Sequence, residues 1–371
     1  MATIKTLRKT GGDFTNTTQF KDWFVAQFPL SANVELHVQG GQHFGHIDSP
    51  DMDGNTGSLV FSTSSTNKFN GYQLLVTTDP SELSSPALLD VKWEFNDVGN
   101  AAETELNGLL KFDKIRLRGK GFNWDDTRLI TMFRSTYRTS LQFTNCIIYL
   151  KTNSIESFDN IAVVARNYQG IEEDNDNSFI ENCHIILTRN NEEPHLLFVP
   201  LDNYSNNYAN WGVMHNSVVT CYVDGTWHIE LRHGANYNNT FFNYGSGDYD
   251  VTTTYEGTES ETVTGVDPKF VTNANQAANE LLSTIIARDV QLLEDSPLLN
   301  TAIGEYSPPD DILGVSRSEE YDRGAYVGFI IPPEPPEPSD INYNNVGITS
   351  RNIGGGSKNP EVEGIVEIIA K

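Results

Sequence analysis

Three groups of side chains in this 371-residue chain have the types and spacing that could do chemistry. The first is FNWDDTR, where Asp125 and Asp126 are adjacent, together with RHGAN, where His233 stands beside Arg232. Carboxyl groups facing one another across a sugar, with a histidine to move a proton, are what glycoside hydrolysis requires. The second group is acidic: EEDNDN carries Glu172, Glu173, Asp174 and Asp176, and DSPDMDGN carries Asp48, Asp51 and Asp53. Such carboxylates leave room for Ca²⁺ and for β-elimination with an arginine or lysine base. Neither run has the length or the closing bidentate Glu of a Ca²⁺ loop, so no metal site is assigned. The third group is NYSNNYANW, whose Tyr204, Tyr208 and Trp211 could stack on sugar rings or pack an insert onto the body of the protein. Each group also fits a plainer role. Adjacent aspartates in a polar loop are usually solvated turn residues, and acidic runs are usually exposed. The sequence contains no Ser-His-Asp arrangement, glycine-rich phosphate loop or Cys/His metal spacing, so no cofactor is expected beyond the opening left for Ca²⁺.

The elements that must position these groups follow from a repeat. Phe143-Thr-Asn145-Cys146, Ile180-Glu-Asn182-Cys183, Met214-His-Asn216-Ser217 and Tyr237-Asn-Asn239-Thr240 share one order of residue types. Asn145, Asn182, Asn216 and Asn239 stand 37, 34 and 23 positions apart, and IRLRGKGF puts Gly119 in the same place 26 positions before Asn145. An irregular period of this size on strand-rich text predicts a parallel β-solenoid, with inserts bulging from its coils. Asn suits the corner between two strands because it tolerates left-handed backbone angles. Stacked from coil to coil, its amide can satisfy its neighbour.

Around that repeat, NVELHVQGG, GYQLLVTT, LLDVKWEF, FDKIRLRG and RLITMFRS are expected to be strands. Phe20, Trp23, Phe24 and Phe28 mark one face of a short helix, N-capped by Thr17 or Thr18, that would cover the exposed edge of the first coil. YGSGDYDVTTTYEGTESETVTG, from 244, is expected to be a protruding hairpin, and NANQAANELLSTII, from 273, a second helix. The expected organisation is an N-terminal cap over 1–40, a coil with loop and hairpin inserts over 41–330, a Pro-rich linker over 331–339, and a C-terminal arm over 340–371. The arm ends in GIVEIIA, which suits either an edge strand for a neighbouring chain or a tail without fixed structure.

Composition narrows the partners. Twenty-five Lys+Arg against fifty Asp+Glu leave a formal charge of −25, which disfavours nucleic acid and anionic membrane surfaces. No stretch is apolar over the length of a membrane span, so no membrane insertion is expected. The N-terminal MATIKTLRKTGGDF lacks the apolar centre of a secretory signal, which implies synthesis in a reducing cytoplasm. The three cysteines are expected to be thiols, with Cys146 and Cys183 stacked at equivalent repeat positions and Cys221 shifted on the next coil.

Asp295-Ser-Pro297-Leu-Leu-Asn-Thr-Ala302, then Asp311-Ile-Leu-Gly314, Arg317 and Asp322-Arg-Gly324-Ala-Tyr326, resembles the ending of right-handed parallel β-helix (pectate-lyase-like) proteins, where it closes the last coil. Val327 stands where that ending usually has Glu. Asp267-Pro-Lys-Phe270 fits the same ending, and TIKTLRKTGGDFTNTTQFKDW is similar to the opening of β-helix proteins common in bacteriophage genomes. The resemblance implies an all-β fold, a right-handed parallel β-helix with a short N-terminal capping helix and an extended C-terminal arm. It implies no single activity, because the family includes pectate lyases, glycosidases, tailspikes and inert structural proteins. Polygalacturonase-like members use an adjacent Asp pair, then Gly-His-Gly, then Arg-x-Lys. Here Arg118-Gly-Lys120 precedes the Asp pair, and His233 lacks the preceding glycine. The expected function is therefore a structural virion protein, a capsid-decorating (cement or head-fibre) β-helix, and a homo-oligomer of the trimer type. It would be anchored to capsid or tail proteins through the C-terminal arm. The alternatives are a tailspike-type depolymerase using Asp125, Asp126 and His233, or a host-glycan-binding module using Tyr204, Tyr208 and Trp211.

Overall fold

Strands of two to eight residues recur along the chain and pair, all in parallel, into sheets of nine, eight and seven strands, with a separate two-stranded pair, Leu292–Leu293 and Phe329–Ile330. The computed structural model describes residues 1–45, 59–61, 69–95, 107–120, 128–132, 138–152, 160–167, 178–189, 196–203, 213–232, 235–254, 258–271, 286, 290–317 and 321–330. The chain visits the three sheets in turn. One circuit runs through Arg138–Thr144 in the first sheet, Ile147–Thr152 in the second and Asn160–Asn167 in the third. The next runs through Phe179–Glu181, His184–Arg189 and Leu196–Asn203, each strand in register with its predecessor. Met1–Pro332 form one compact unit, distinct from Pro333–Lys371 in the division of the chain. The expected linker and arm thus lie outside the described residues, as does the helix expected from 273, save for Ile286.

Period-two alternation fixes what faces inward. Leu110, Phe112, Leu141, Phe143, Ile180 and Met214 of the first sheet are fully buried. They meet Leu89, Leu117, Ile148, Ile185, Val219 and Phe241 of the second. Because like residues sit in register, inward side chains stack on their own kind: Phe112 lies on Phe143 with centroids 5.4 Å apart and ring planes within 7°.

The N-terminal end is covered by the helix Thr17–Val25. Its cap is Asn16, not Thr17 or Thr18. Asn16 is extended, and its Oδ1 accepts from Gln19 N at 2.9 Å, while Thr17 already belongs to the helix and is buried. Phe20 and Phe24 are fully buried against Phe61, Phe69 and Trp93, whereas Trp23 and Phe28 are half-buried at the margin. Thr3–Leu7 and Val34–Val38, on either side of the helix in sequence, are the first two strands of the first sheet.

From Asn107–Asp113 onward, the chain turns between the first and second sheets through a single left-handed residue per circuit. These are Lys114, Asn145, Asn182, Asn216, Asn238 and Glu261, with φ between 48° and 58°. Two expectations need correcting here. The fourth asparagine of the column is Asn238, not Asn239, because His215 pairs with Tyr237 and Val218 with Thr240. Asn239 sits one place on and points inward, accepting from Ser217 N at 3.1 Å and donating to Met214 O at 2.7 Å. Upstream, the corner is Lys114 rather than Gly119, which pairs with Leu150 inside a strand. FDKIRLRG is accordingly two strands, Asn107–Asp113 and Arg116–Lys120, on two sheets.

Immediately after the corner, Cys146, Cys183, Ser217 and Asn239 form an inner column. Each backbone N–H donates to the side chain one circuit on, from Cys146 N to Cys183 Sγ at 3.4 Å and from Cys183 N to Ser217 Oγ at 3.1 Å. All three cysteines are buried free thiols.

The expected hairpin from 244 is not one. Asp248–Thr254 continues the third sheet parallel to Thr226–Arg232, and Thr258–Ser260 continues the first. Thr, Tyr and Val alternation suits any strand; it does not distinguish a hairpin arm from another circuit.

Candidate functional site on the outer face of the second sheet

The second sheet buries apolar side chains on both faces. Leu88, Ile147, Tyr149, Ile186 and Val218 alternate with the inward set and point outward, yet all are buried. Among the described residues, Phe270, Val290, Leu292, Leu298, Ile312 and Ala325 cover them. The motif expected to close the last coil instead runs along the flank, across several circuits. Lys114 Nζ meets Asp310 Oδ2 at 2.7 Å, Asn182 Nδ2 donates to Asp322 O at 3.1 Å, and Asn238 Nδ2 donates to Thr301 O.

The asparagine column is the dock. Asn216 Nδ2 donates to Ile303 O at 2.9 Å and Ser307 Oγ at 3.1 Å, while its Oδ1 accepts from Ile303 N and from Asn238 Nδ2, both at 2.9 Å. Arg317 is buried; its Nη1 donates to Asp322 O and its Nη2 to Gly324 O and Asn145 Oδ1. Burial draws this guanidinium down to about 10, against the pull of Asp311 and Asp322. Arg323 behaves alike, also drawn down to about 10, and donates to Asn238 Oδ1, Asn239 O and Thr240 Oγ1. Asp311 and Asp322 staple the segment to itself: Asp311 accepts from the backbone of Leu313, Val315 and Val327, and Asp322 from that of Asn300 and Gly328. The ring of Tyr306 stacks parallel on Tyr237 at 5.3 Å and packs on His215 at 4.3 Å.

Beneath the segment His184 is almost fully buried, and neither ring nitrogen has a hydrogen-bond partner among the described residues. Phe270 meets it edge-on at 5.2 Å, Tyr326 lies at 6.0 Å, and Gly324 takes φ +96° directly above it, where a Cβ would strike Nε2. Burial first, then the charge of Arg317, lowers its pKa from 6.5 to about 3.

Charged groups gather at the N-terminal end of the same face. Asp90, fully buried, is gripped by Arg118 through Nε to Oδ1 at 2.6 Å and Nη2 to Oδ2 at 2.8 Å. His43 Nε2 meets Oδ1 at 2.8 Å. Burial pushes this carboxyl up, and the hydrogen bonds of His43 and Arg118 more than reverse it, leaving it below the ordinary carboxylate value. Gly45 is required where it stands, because a Cβ would collide with Asp90 Oδ2. One column over on the strand Arg116–Lys120, Arg116 has no carboxylate within ion-pair distance among the described residues, and its buried Nε has no hydrogen-bond partner there. Its Nη2 donates to Ile286 O at 2.6 Å and reaches Tyr149 Oη at 3.4 Å, with the guanidinium 5.6 Å from the Tyr149 ring centroid.

Arg116 and Tyr149 floor a cleft of about 350 Å³. Ile147 and Leu313 wall it, and exposed Ser84 and Ser85 stand at its mouth. The arrangement offers one uncompensated cation, several hydroxyls and apolar sides: the means to hold an anion with an apolar body.

The residues singled out from sequence fall elsewhere. Asp125, Asp126, His233, Tyr204, Tyr208 and Trp211 lie outside the described residues, as do the acidic runs 48–55 and 172–177. Among the described residues, no group of three or more His, Cys, Asp and Glu is placed to hold a metal ion. Arg116, Tyr149 and the His43–Asp90–Arg118 group were missed because only register brings them together. Comparison with family models, with characterised proteins and with solved structures found no match to this chain.

Proposed function

We propose that the chain is a right-handed parallel β-helix acting as a rigid structural component of a bacteriophage particle, a capsid-decorating element attached through residues 340–371. The observation that carries this is the use made of the buried polar side chains at the corner. Asn182, Asn216, Asn238, Arg317 and Arg323 bond successive circuits to one another and to the segment 300–326, so that many circuits are braced along one flank. A buried amide or guanidinium that loses such a partner costs about 1–3 kcal/mol, so a column of them resists splaying of neighbouring circuits. Bracing of this kind suits a part that bears load. The phage-like opening TIKTLRKTGGDFTNTTQFKDW supports the particle assignment, and a formal net charge of −25 supports solubility before assembly.

The test is attachment. Purified full-length protein should bind particles stripped of it, and a truncation after Ile331 should keep the cooperative melt yet fail to bind. A truncation that still binds fully would refute the arm's role. Release of reducing ends or unsaturated products from host polysaccharide would overturn the structural assignment in favour of a depolymerase.

A further inference from the structure

We propose that the cleft over Arg116 and Tyr149 is a binding site for a small organic carboxylate with an apolar body. The starting point is charge. Lys114 is paired with Asp310 and Arg118 with Asp90, while Arg116 faces no carboxylate among the described residues. Arg317 and Arg323 also lack an ion-paired carboxylate among the described residues, but both are buried beneath the flank segment, whereas Arg116 is half-buried and lines an open cleft. Partial desolvation without a counter-charge is unfavourable, and an incoming anion relieves it. Nη2 is held by Ile286 O and Tyr149 Oη, which aims the group, and Nε is still without an acceptor among the described residues.

The rest of the cleft selects within anions. With one cation among its described lining residues, it matches a single negative charge rather than a divalent phosphate. Ile147, Leu313 and Pro86 give apolar contact, and Ser84 and Ser85 offer hydroxyls at the rim. The volume, about 350 Å³, accepts a ligand of roughly one ring. The site is independent of the particle role proposed above.

Calorimetric titration of the full chain with benzoate, glucuronate and inorganic phosphate, beside neutral benzyl alcohol and glucose, tests the proposal. Arg116→Gln removes the charge, and Ser84→Trp, at an exposed position, plugs the mouth without touching the core. At least one acid should bind saturably and its neutral counterpart should not, with affinity falling at least about tenfold in both variants. Preference for glucuronate would mark a sugar acid as the source of the carboxylate, and preference for benzoate an apolar acid; both uphold the site. Equal binding of acid and neutral partner, tighter binding of phosphate, binding unchanged in both variants, or no saturable binding of either acid would overturn it.

Discussion

Acid should loosen the flank segment through one residue, His184. Its imidazole is neutral in the folded chain, with a pKa near 3 against 6.5 when exposed. A base whose folded pKa is depressed holds its full contribution above the unfolded value and loses it as pH falls, until the folded pKa is reached. The window here runs from 6.5 down to about 3. Each unit within it removes about 1.4 kcal/mol, so moving from pH 8 to pH 5 should remove about 2 kcal/mol through this side chain. Carboxylates such as Asp90, held below their ordinary value, lose their contribution lower in the scale and belong to both proteins in the comparison. The assay is urea denaturation at pH 8 and pH 5 for the parent and for His184→Leu, which fills the same pocket between Phe270 and Tyr326 and cannot titrate. The parent should lose about 2 kcal/mol more than the variant over that interval. Equal losses would refute the account of His184 as a buried, neutral and unpartnered group.

Other consequences concern the corner and the ends. Arg317→Ala should destabilise by about 3 kcal/mol in urea melts, because it strips partners from Asn145 Oδ1 and three carbonyls; a loss below about 1 kcal/mol would contradict the bracing. Asn216→Gly keeps the left-handed turn and Asn216→Ala does not, so the alanine form should melt lower by about 1 kcal/mol of stability, with both below the parent. Phe24→Ala should cost about 3–4 kcal/mol by opening a cavity under the helix, read as a fall in denaturation midpoint. Cys146, Cys183 and Cys221 should resist a thiol reagent in the native protein and react on unfolding. Burial pushes the Cys146 thiol well above its ordinary value, so fast labelling of the native chain would show the inner column to be open.

Much of this architecture was legible in sequence, for reasons that residues make plain. NVELHVQGG and GYQLLVTT alternate, and alternation is what a strand with one buried face shows. Asn145, Asn182 and Asn216 stand out because asparagine is one of the few residues besides glycine that readily accept a left-handed corner. Lys114 and Glu261 take the same turn and carry no such sign, which is why Gly119 drew the eye. In Tyr237-Asn-Asn239 two consecutive asparagines fit the frame equally, and only the pairing of Val218 with Thr240 chooses Asn238. The second core had a signal that went unused. CIIYL, CHIIL and SVVTC are continuous apolar runs, as expected of strands covered on both faces. The cleft had none: Ser84, Arg116, Tyr149 and Leu313 meet only through the stacking of circuits and the return of the C-terminal segment.

The central claim is that successive circuits lie in register, with their corner amides in one column clasped by the returning chain. A crystal or cryo-EM map resolving side chains tests it most directly. Asn145, Asn182, Asn216 and Asn238 should follow one another at about 4.8 Å along a line, with Arg317 and Arg323 beside them. Antiparallel neighbours in these sheets, or asparagines dispersed over the surface with both arginines in solvent, would contradict it.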